Sequence, residues 1–438
     1  MLICFTIKNF KSFYKENTLS LISSSKIRKH KEHLLANKRF KILKYSFFHG
    51  PNGGGKTNLI KAFAFYRSFI VFNKVTYNDF AFKNKDDEET SFKLTFLTNN
   101  TIYMYGFGLK KGKTLLDGIV LTSESLSKST LYGEETQIYN LENNSIEFNN
   151  KKIVINENLK VYLDNFNASN KQETFLSYLN DYSRKNNLGE SAKDINIVFN
   201  YILKNIVLIT NNDFNYQYIE NINLDEISNK LKKYDTGIDS IKLLLINNDD
   251  IIRDIPSELL AAIKTNFLNE DLKNTILESK ETLYCFSKNE DNSIEIKELI
   301  FRHNNIDSNF TFNEESEGTL RLLFLFSFLS SKKQDVTLLI DEFDKGLHPL
   351  VSIEVLKDFI RENEYTTSDP NTNQLLCSSH LTMLLSRDLL RNDEIYFIDK
   401  DNHGGSSIYS LSEYKTRSDT NIEKDYYDGR YSAIPKFK

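Results

Sequence analysis

Eight residues, Gly50-Pro-Asn-Gly-Gly-Gly-Lys56-Thr57, carry the densest chemistry in the chain. They match G-x-x-x-x-G-K-[ST] without gaps, between an apolar run ILKYSFFH that reads as a strand and the segment Asn58 to Phe72, apolar at helical spacing. Glycines at such a corner let successive backbone N–H groups point at one anion, and the helix N-terminus adds positive potential. Lys56 supplies a compact charge and the Thr57 hydroxyl can ligate Mg²⁺. The chemistry is that of cradling the β- and γ-phosphates of a nucleotide.

A second constellation suits that cradle. Val336-Thr-Leu-Leu-Ile-Asp341-Glu342 is an apolar strand ending in two carboxylates. Where the chain leaves the pleat both acids can reach one edge, Asp341 to hold the Mg²⁺ shell and Glu342 to orient and deprotonate an attacking water. Ser316-Glu-Gly318-Thr319 opens the run TLRLLFLFSFL, so Ser316 and its neighbours either offer an anion a hydroxyl and helix amides or simply cap the helix. Asp344 follows the carboxylates closely. His380 ends the run QLLCSSH, 38 residues beyond Glu342, and reads either as a structural histidine or as a γ-phosphate sensor.

The elements that must position these groups follow from periodicity. Residues 2 to 21 read as a two-stranded hairpin, and 91 to 126 as three strands of an antiparallel meander. From 127 to 290 the chain is Asn-, Lys- and Leu-rich with mainly helical signals and no sustained heptad. After 291, strand and helix alternate at a spacing that implies a largely parallel sheet. The expected organisation is α/β: an N-terminal lobe over 1–126 with the glycine loop, a mainly helical insertion over 127–290, and a C-terminal lobe over 291–438.

Gly 16 and Pro 5 in 438 residues are few, and four of the glycines lie between Gly50 and Gly55, so backbone freedom is concentrated at the loop. Lys+Arg 56 against Asp+Glu 60 leaves a net charge of -4, which excludes a global basic field for nucleic acid or membrane. No stretch approaches the roughly 18 apolar residues of a spanning helix, so no membrane association is expected. Cys4, Cys285 and Cys377 lack metal-ligand spacing and read as free thiols of a cytoplasmic protein.

With these residues in place the sequence resembles the ABC-type ATPases of the SMC/RecF/Rad50 group. It is more closely similar to the AAA15/AAA21-type ATPases of bacterial abortive-infection and anti-phage systems, relatives of the overcoming-lysogenisation-defect nucleases. Besides the motifs above, the likeness rests on Ile7-Lys-Asn-Phe-Lys-Ser-Phe13, Asp235-Thr-Gly-Ile238, Glu315-Ser-Glu-Gly-Thr319 and the tail Gly429-Arg-Tyr-Ser-Ala-Ile-Pro435. It implies an ABC-type P-loop ATPase head with an antiparallel β subdomain, binding ATP with Mg²⁺. The residues it assigns to the nucleotide are Lys11, Gly50, Asn52, Gly53, Gly54, Gly55, Lys56, Thr57, Asn58 and Asp344, with Thr57 and Asp341 on the metal and Glu342, His380 and Lys56 as catalytic groups. It implies a homodimer or higher homo-oligomer, ATP on Lys56 of one subunit meeting Ser316 and Gly318 of the other.

The sequence departs from these relatives in three ways. Its signature is SEGT rather than the transporter-like SGGQ, Ser379 stands before His380 where many relatives have Thr, and no Gln-loop residue stands out, Gln137 being the first glutamine after the glycine loop. Only 58 residues follow His380, too few for the TOPRIM domain of the nuclease relatives, so the expected output is a separate effector protein encoded nearby. Eight Lys/Arg between Lys26 and Lys44 (Lys26, Arg28, Lys29, Lys31, Lys38, Arg39, Lys41, Lys44) against Glu32 either track nucleic-acid phosphates or form a solvated loop. The rivals to a defence ATPase are a RecF/Rad50-like DNA-repair or DNA-tethering ATPase and a transporter's nucleotide-binding subunit.

Overall fold

In the computed structural model, the described residues are 1–36, 39–73, 88–112, 118–131, 133–142, 145–148, 157–168, 173–185, 193–209, 223–247, 251, 254–269, 274–279, 282–291, 293–330, 335–363, 372–417 and 420–435. They form an α/β chain of two compact units: Met1–Thr210 with Gln334–Phe343 and Asn363–Lys438, and Asn211–Lys333 with Asp344–Glu362.

Among the described residues the first unit contains two large sheets and a two-stranded one. One is antiparallel, in the order β10-β9-β8-β7-β6-β1-β2. It is built from the expected hairpin, β1 (Leu2–Lys8) and β2 (Asn17–Ser20), and the expected meander, β6 (Thr90–Thr98), β7 (Thr101–Lys111) and β8 (Ile119–Thr130). Two further strands, β9 (Thr136–Glu142) and β10 (Ser145–Phe148), extend it. The second sheet runs β11-β17-β18-β5-β19-β20. Its members are β5 (Tyr45–His49), β11 (Ile206–Ile209), β17 (Thr337–Ile340), β18 (Gln374–Ser378), β19 (Ile395–Lys400) and β20 (Ser406–Ser410). All neighbours in it are parallel except the last pair. Strands β5, β17 and β18 are buried at every residue, which explains why they read as continuous apolar runs rather than alternating ones.

Helix α1 (Lys56–Phe72) buries Leu59, Ile60, Ala62, Phe63, Tyr66, Phe69 and Ile70, an i, i+3, i+4, i+7 face. Phe63 stacks on Phe5 of β1 at 3.9 Å, and Tyr66 on Phe107 of β7 at 5.3 Å. The side chain of Gln374 accepts from Leu2 N at 2.6 Å and donates to the carbonyls of Leu2 and Leu43, each at 3.0 Å. This fully buried amide therefore ties the first strand of one sheet to β18 of the other.

The second unit holds an antiparallel sheet: β12 (Ile238–Leu245), β13 (Asn274–Glu278), β14 (Leu283–Lys288), β15 (Ile294–His303) and β16 (Asn309–Thr311). Its helices are α5 (Leu224–Lys233), α6 (Ser257–Asn269), α7 (Glu317–Ser330) and α8 (Pro349–Glu362). Asn223 caps α5 by accepting from the amides of Asp225 and Glu226. The Asp235-Thr-Gly-Ile238 motif is the turn from α5 into β12: Asp235 and Gly237 both have positive φ, and Thr236 Oγ1 donates to Leu231 O.

Three sequence readings change. The run ILKYSFFH is two strands: β4 (Lys41–Leu43) pairs with β3 (Leu34–Ala36), and the chain breaks at buried Lys44, whose Nζ donates to Asn363 O at 2.6 Å, before β5 begins. The segment 127–290 holds strands as well as its helices α2 (Glu157–Ala168), α3 (Phe175–Lys185), α4 (Lys193–Lys204), α5 and α6. The stretch DINIVFNYILKNIVLI, one of the helical signals of that segment, ends its helix at Lys204, and IVLI pairs in parallel with β17. A short apolar run does not distinguish buried strand from helix; a neighbouring strand, more than a hundred residues away in sequence, decides it.

Candidate phosphate-binding site

The corner between β5 and α1 is shaped by contacts that exclude side chains. A Cβ on Gly50 would lie 2.2 Å from Ile398 O, and one on Gly54 2.8 Å from the same oxygen. Gly53 and Gly55 have φ of 73° and 121°, a backbone that L side chains rarely adopt. Gly55 is also the N-cap of α1, and no side chain caps it. A glycine cap offers no side-chain oxygen to the first turn of this 17-residue helix, and the dipole at its start favours an anion.

Lys56, buried, holds its Nζ 2.6 Å from Gly50 O and 3.1 Å from Pro51 O, both carbonyls of the loop it serves. Behind the loop, Ser406 Oγ lies 2.6 Å from Gly54 O and 2.8 Å from Ser12 Oγ, which accepts from Asn58 Nδ2 at 2.8 Å. Asn58 therefore braces the loop from the helix side, while Asn52 and Gly53 are exposed at its tip. Lys11, with φ 47°, and the neighbouring Ser12 belong to the Ile7–Phe13 segment that approaches the loop.

At the carboxylate edge, Asp341 Oδ1 accepts from Thr57 Oγ1 at 3.3 Å and from Ser378 Oγ at 2.6 Å. Ser378 Oγ in turn accepts from the amide of Glu342 at 2.7 Å. Glu342 has φ 54°, a left-handed backbone that is uncommon for a glutamate and is held by this hydrogen bond and by Phe343 N donating to Ser378 O at 2.8 Å. Asp341 is buried and Glu342 half-buried, so the strand end turns one acid toward Thr57 and leaves the other partly open. The donor set fits Mg²⁺: hard oxygens of Thr57 and Asp341 stand 3.3 Å apart, against about 2.9 Å for neighbouring ligands around an octahedral ion with roughly 2.0–2.1 Å bonds.

His380 is exposed and lines, with Gly50, Pro51, Asn52, Lys400 and Tyr426, a cleft of about 630 Å³ at the mouth of the loop. The tail Gly429–Pro435 supplies another wall through Ile434 and Pro435. It is anchored by Tyr426 OH donating to Ala433 O at 2.9 Å and Ala433 N donating to Asp399 Oδ2 at 3.2 Å. His49, one residue before the loop, is buried, and its Nε2 has no hydrogen-bond partner. Burial first, then the charges of Lys56 and His380, push its pKa down to about 3, so it is a neutral ring beside the cradle.

Ser316, Gly318 and Asp344 belong to the second unit. Ser316 Oγ accepts from Thr319 N at 3.1 Å and lies 2.8 Å from Thr319 Oγ1, so it caps α7. Gly318 has no room for a Cβ, which would fall 2.3 Å from Gly346 O, and Lys345 pairs with Glu317 at 2.6 Å. Gln137 sits in β9, and its backbone pairs with Ser127 of β8.

Three members of the site were missed in the sequence: Ser12, Ser378 and Ser406. Ser12 lies inside the Ile7–Phe13 motif and Ser378 two residues before His380, so proximity to known motifs was a signal for both. Ser406, whose backbone amide donates to Ser12 O at 2.7 Å, had none.

Residues 46–386 match the model of the family described as "AAA domain, putative AbiEii toxin, Type IV TA system". The chain belongs to this family. The matched span contains the loop, both carboxylates, Ser316, Gly318, Asp344 and His380, so the family resemblance read from the motifs holds for this AAA-domain chain. No curated protein matches it. Among solved structures, the SMC head domain from Thermotoga maritima is similar at TM-score 0.30 and 14% sequence identity, covering 93% of this chain and 98% of that chain.

Proposed function

We propose that this AAA-domain protein is a Mg²⁺-dependent ATPase whose ATP-controlled dimerisation regulates a separate effector, a toxin or nuclease, in bacterial anti-phage defence. The observation that carries the ATPase part is the chain Thr57–Asp341–Ser378–Glu342 at the foot of a glycine-capped helix: it joins the glycine loop, a metal-ligand pair and a partly open carboxylate. Bound Mg²⁺ would offset phosphate charge from Thr57 and the Asp341 shell. The residues of the chain do the rest. Lys56 exchanges its loop carbonyls for phosphate oxygens, Glu342 takes a proton from water, and His380 at the cleft mouth senses the terminal phosphate. Ser316 and Gly318 complete the site from a second copy.

The regulatory part is supported by the toxin–antitoxin wording of the family description and by a second unit that carries no cradle of its own among the described residues. Effector binding can shift only by the difference in its affinity for the ATP-bound and free states. The test is a mixing experiment. A Ser316→Arg chain combined with a Lys56→Ala chain should recover roughly half the wild-type ATPase activity per dimer, because one composite site keeps both halves; heterodimers without any recovery would refute a shared site. Expressed alone the protein should be harmless, and toxicity from the single chain would make it the effector itself.

The DNA-repair or tethering reading keeps one specific support: Lys26, Arg28, Lys29, Lys31, Arg39 and Lys41 are exposed, whereas Lys44 is buried and Lys38 lies outside the described residues. Salt-sensitive DNA binding that stimulates ATP turnover would favour it.

A further inference from the structure

Away from the phosphate loop, the turn that precedes β3 gathers His30, Glu32 and His33, whose candidate ligand atoms all lie within 4.8 Å of one another. Their hydrogen bonds determine which atoms face inward. His30 Nε2 stands 2.8 Å from the carbonyl oxygen of Arg387; a carbonyl only accepts, so this nitrogen carries a hydrogen and Nδ1 is the remaining position. That Nδ1 lies 3.1 Å from Glu32 Oε1. His33, 2% exposed, sets its Nδ1 3.1 and 3.0 Å from the two oxygens of Glu394, leaving Nε2 3.8 Å from the same Glu32 oxygen. One nitrogen of each imidazole and a carboxylate oxygen converge, while the outer nitrogen of each ring is held by a carbonyl or a carboxylate. Metal-ligating histidines have this outer arrangement, because it fixes the ring and its tautomer.

We propose that His30 Nδ1, His33 Nε2 and Glu32 form a binding site for a zinc-class divalent cation. Around a tetrahedral ion with bonds of roughly 2.0–2.1 Å, donors stand about 3.3 Å apart; here the two nitrogens stand 3.1 and 3.8 Å from the Glu32 oxygen, and all three ligand atoms lie within 4.8 Å of one another. Two imidazoles and one carboxylate select Zn²⁺ over Mg²⁺ or Ca²⁺, which take all-oxygen sets. Glu32 is 43% exposed on its side chain, so an ion can enter from solvent and keep water as a fourth ligand.

The site is built rather than incidental. Arg391, fully buried, donates to the carbonyls of Ile27, Lys29 and His30 and is bound to Asp393 at 2.9 and 3.0 Å, fastening the turn. Asp393 also accepts from Ser24 N at 2.7 Å. His30 has φ 50° and its ring stacks on His33 with centroids 4.8 Å apart, a left-handed backbone that brings the two rings together. Of the nearby cations, Arg391 is paired with Asp393 and Lys44 donates to Asn363 O.

The test uses the full chain, tag removed and stripped with a chelator, titrated with Co²⁺ as a spectroscopic probe and then with Zn²⁺. One equivalent of Co²⁺ per chain should give the intense visible band of a four-coordinate site and be displaced by one equivalent of Zn²⁺. Glu32→Ala, an exposed change that folding tolerates, and His30→Ala should each weaken Zn²⁺ binding by roughly 10²-fold or more, and Asp341→Asn should leave the band unchanged. If wild type binds neither ion, or if Glu32→Ala binds both as wild type does, the cluster is only a His30–Glu32 ion pair and the proposal fails.

Discussion

Two helix N-termini in this protein meet glycines, and they end differently. Helix α1 starts at Gly55, a cap with no side chain, whereas α7 starts under Ser316, whose hydroxyl accepts from Thr319 N. The difference lies in the cap residue: α1 has a glycine there, and Ser406, Ser12 and Asn58 brace the loop before it from behind. At α7 the serine already satisfies one amide, so any role for Ser316 toward a nucleotide requires it to exchange an internal partner for an external one.

The largest effect that sharpens this contrast is expected at the acid beside the glycine-capped terminus. Glu342→Gln should slow ATP turnover by roughly 10²–10⁴-fold while nucleotide binding persists, as measured by steady-state hydrolysis beside equilibrium binding of labelled ATP. Turnover near wild type would assign the base to another group. Next, Lys56→Ala should weaken ATP binding by roughly 10²-fold, since a charged hydrogen-bond donor to the phosphates is removed; unchanged affinity would mean that the glycine-capped terminus does not hold the nucleotide.

Ser378→Ala tests the support behind the carboxylates. It removes the donor to Asp341 and the acceptor for Glu342 N, so the Mg²⁺ requirement of the ATPase should rise by roughly 10-fold or more, with ATP binding in the absence of metal little changed. The smallest effect belongs to the other terminus. Ser316→Ala should cost about 1 kcal/mol of stability in chemical denaturation from the lost cap and leave the single chain's ATP affinity unaltered. Loss of affinity in the isolated chain would break the contrast between the two helix starts.

Much of the site was legible because its motifs are contiguous. Glycines at 50, 53, 54 and 55 followed by Lys56 and Thr57 specify a backbone path and a charge within eight residues, and VTLLIDE announces a buried strand with acids at its end. The meander of β6, β7 and β8 was equally plain, since alternation and short turns are local signals. The four-residue strand β11 was not, because IVLI continues the apolar character of α4 and only its pairing with β17 makes it a strand.

The sequence by itself determined the glycine loop with Lys56 and Thr57, the pair Asp341 and Glu342, and the order of strand and helix on either side of them. It could not decide which hydroxyl would lie beneath Asp341, that Gln374 would tie β1 to β18, or that two histidines from a basic stretch would meet Arg387 and Glu394. Those partners lie 37, 372, 357 and 361 residues apart along the chain. A spacing pattern records what one segment needs for its own backbone and periodicity. Which distant polar group satisfies a buried donor or acceptor is settled only when the sheets pack, because burial is what makes an unpaired group costly.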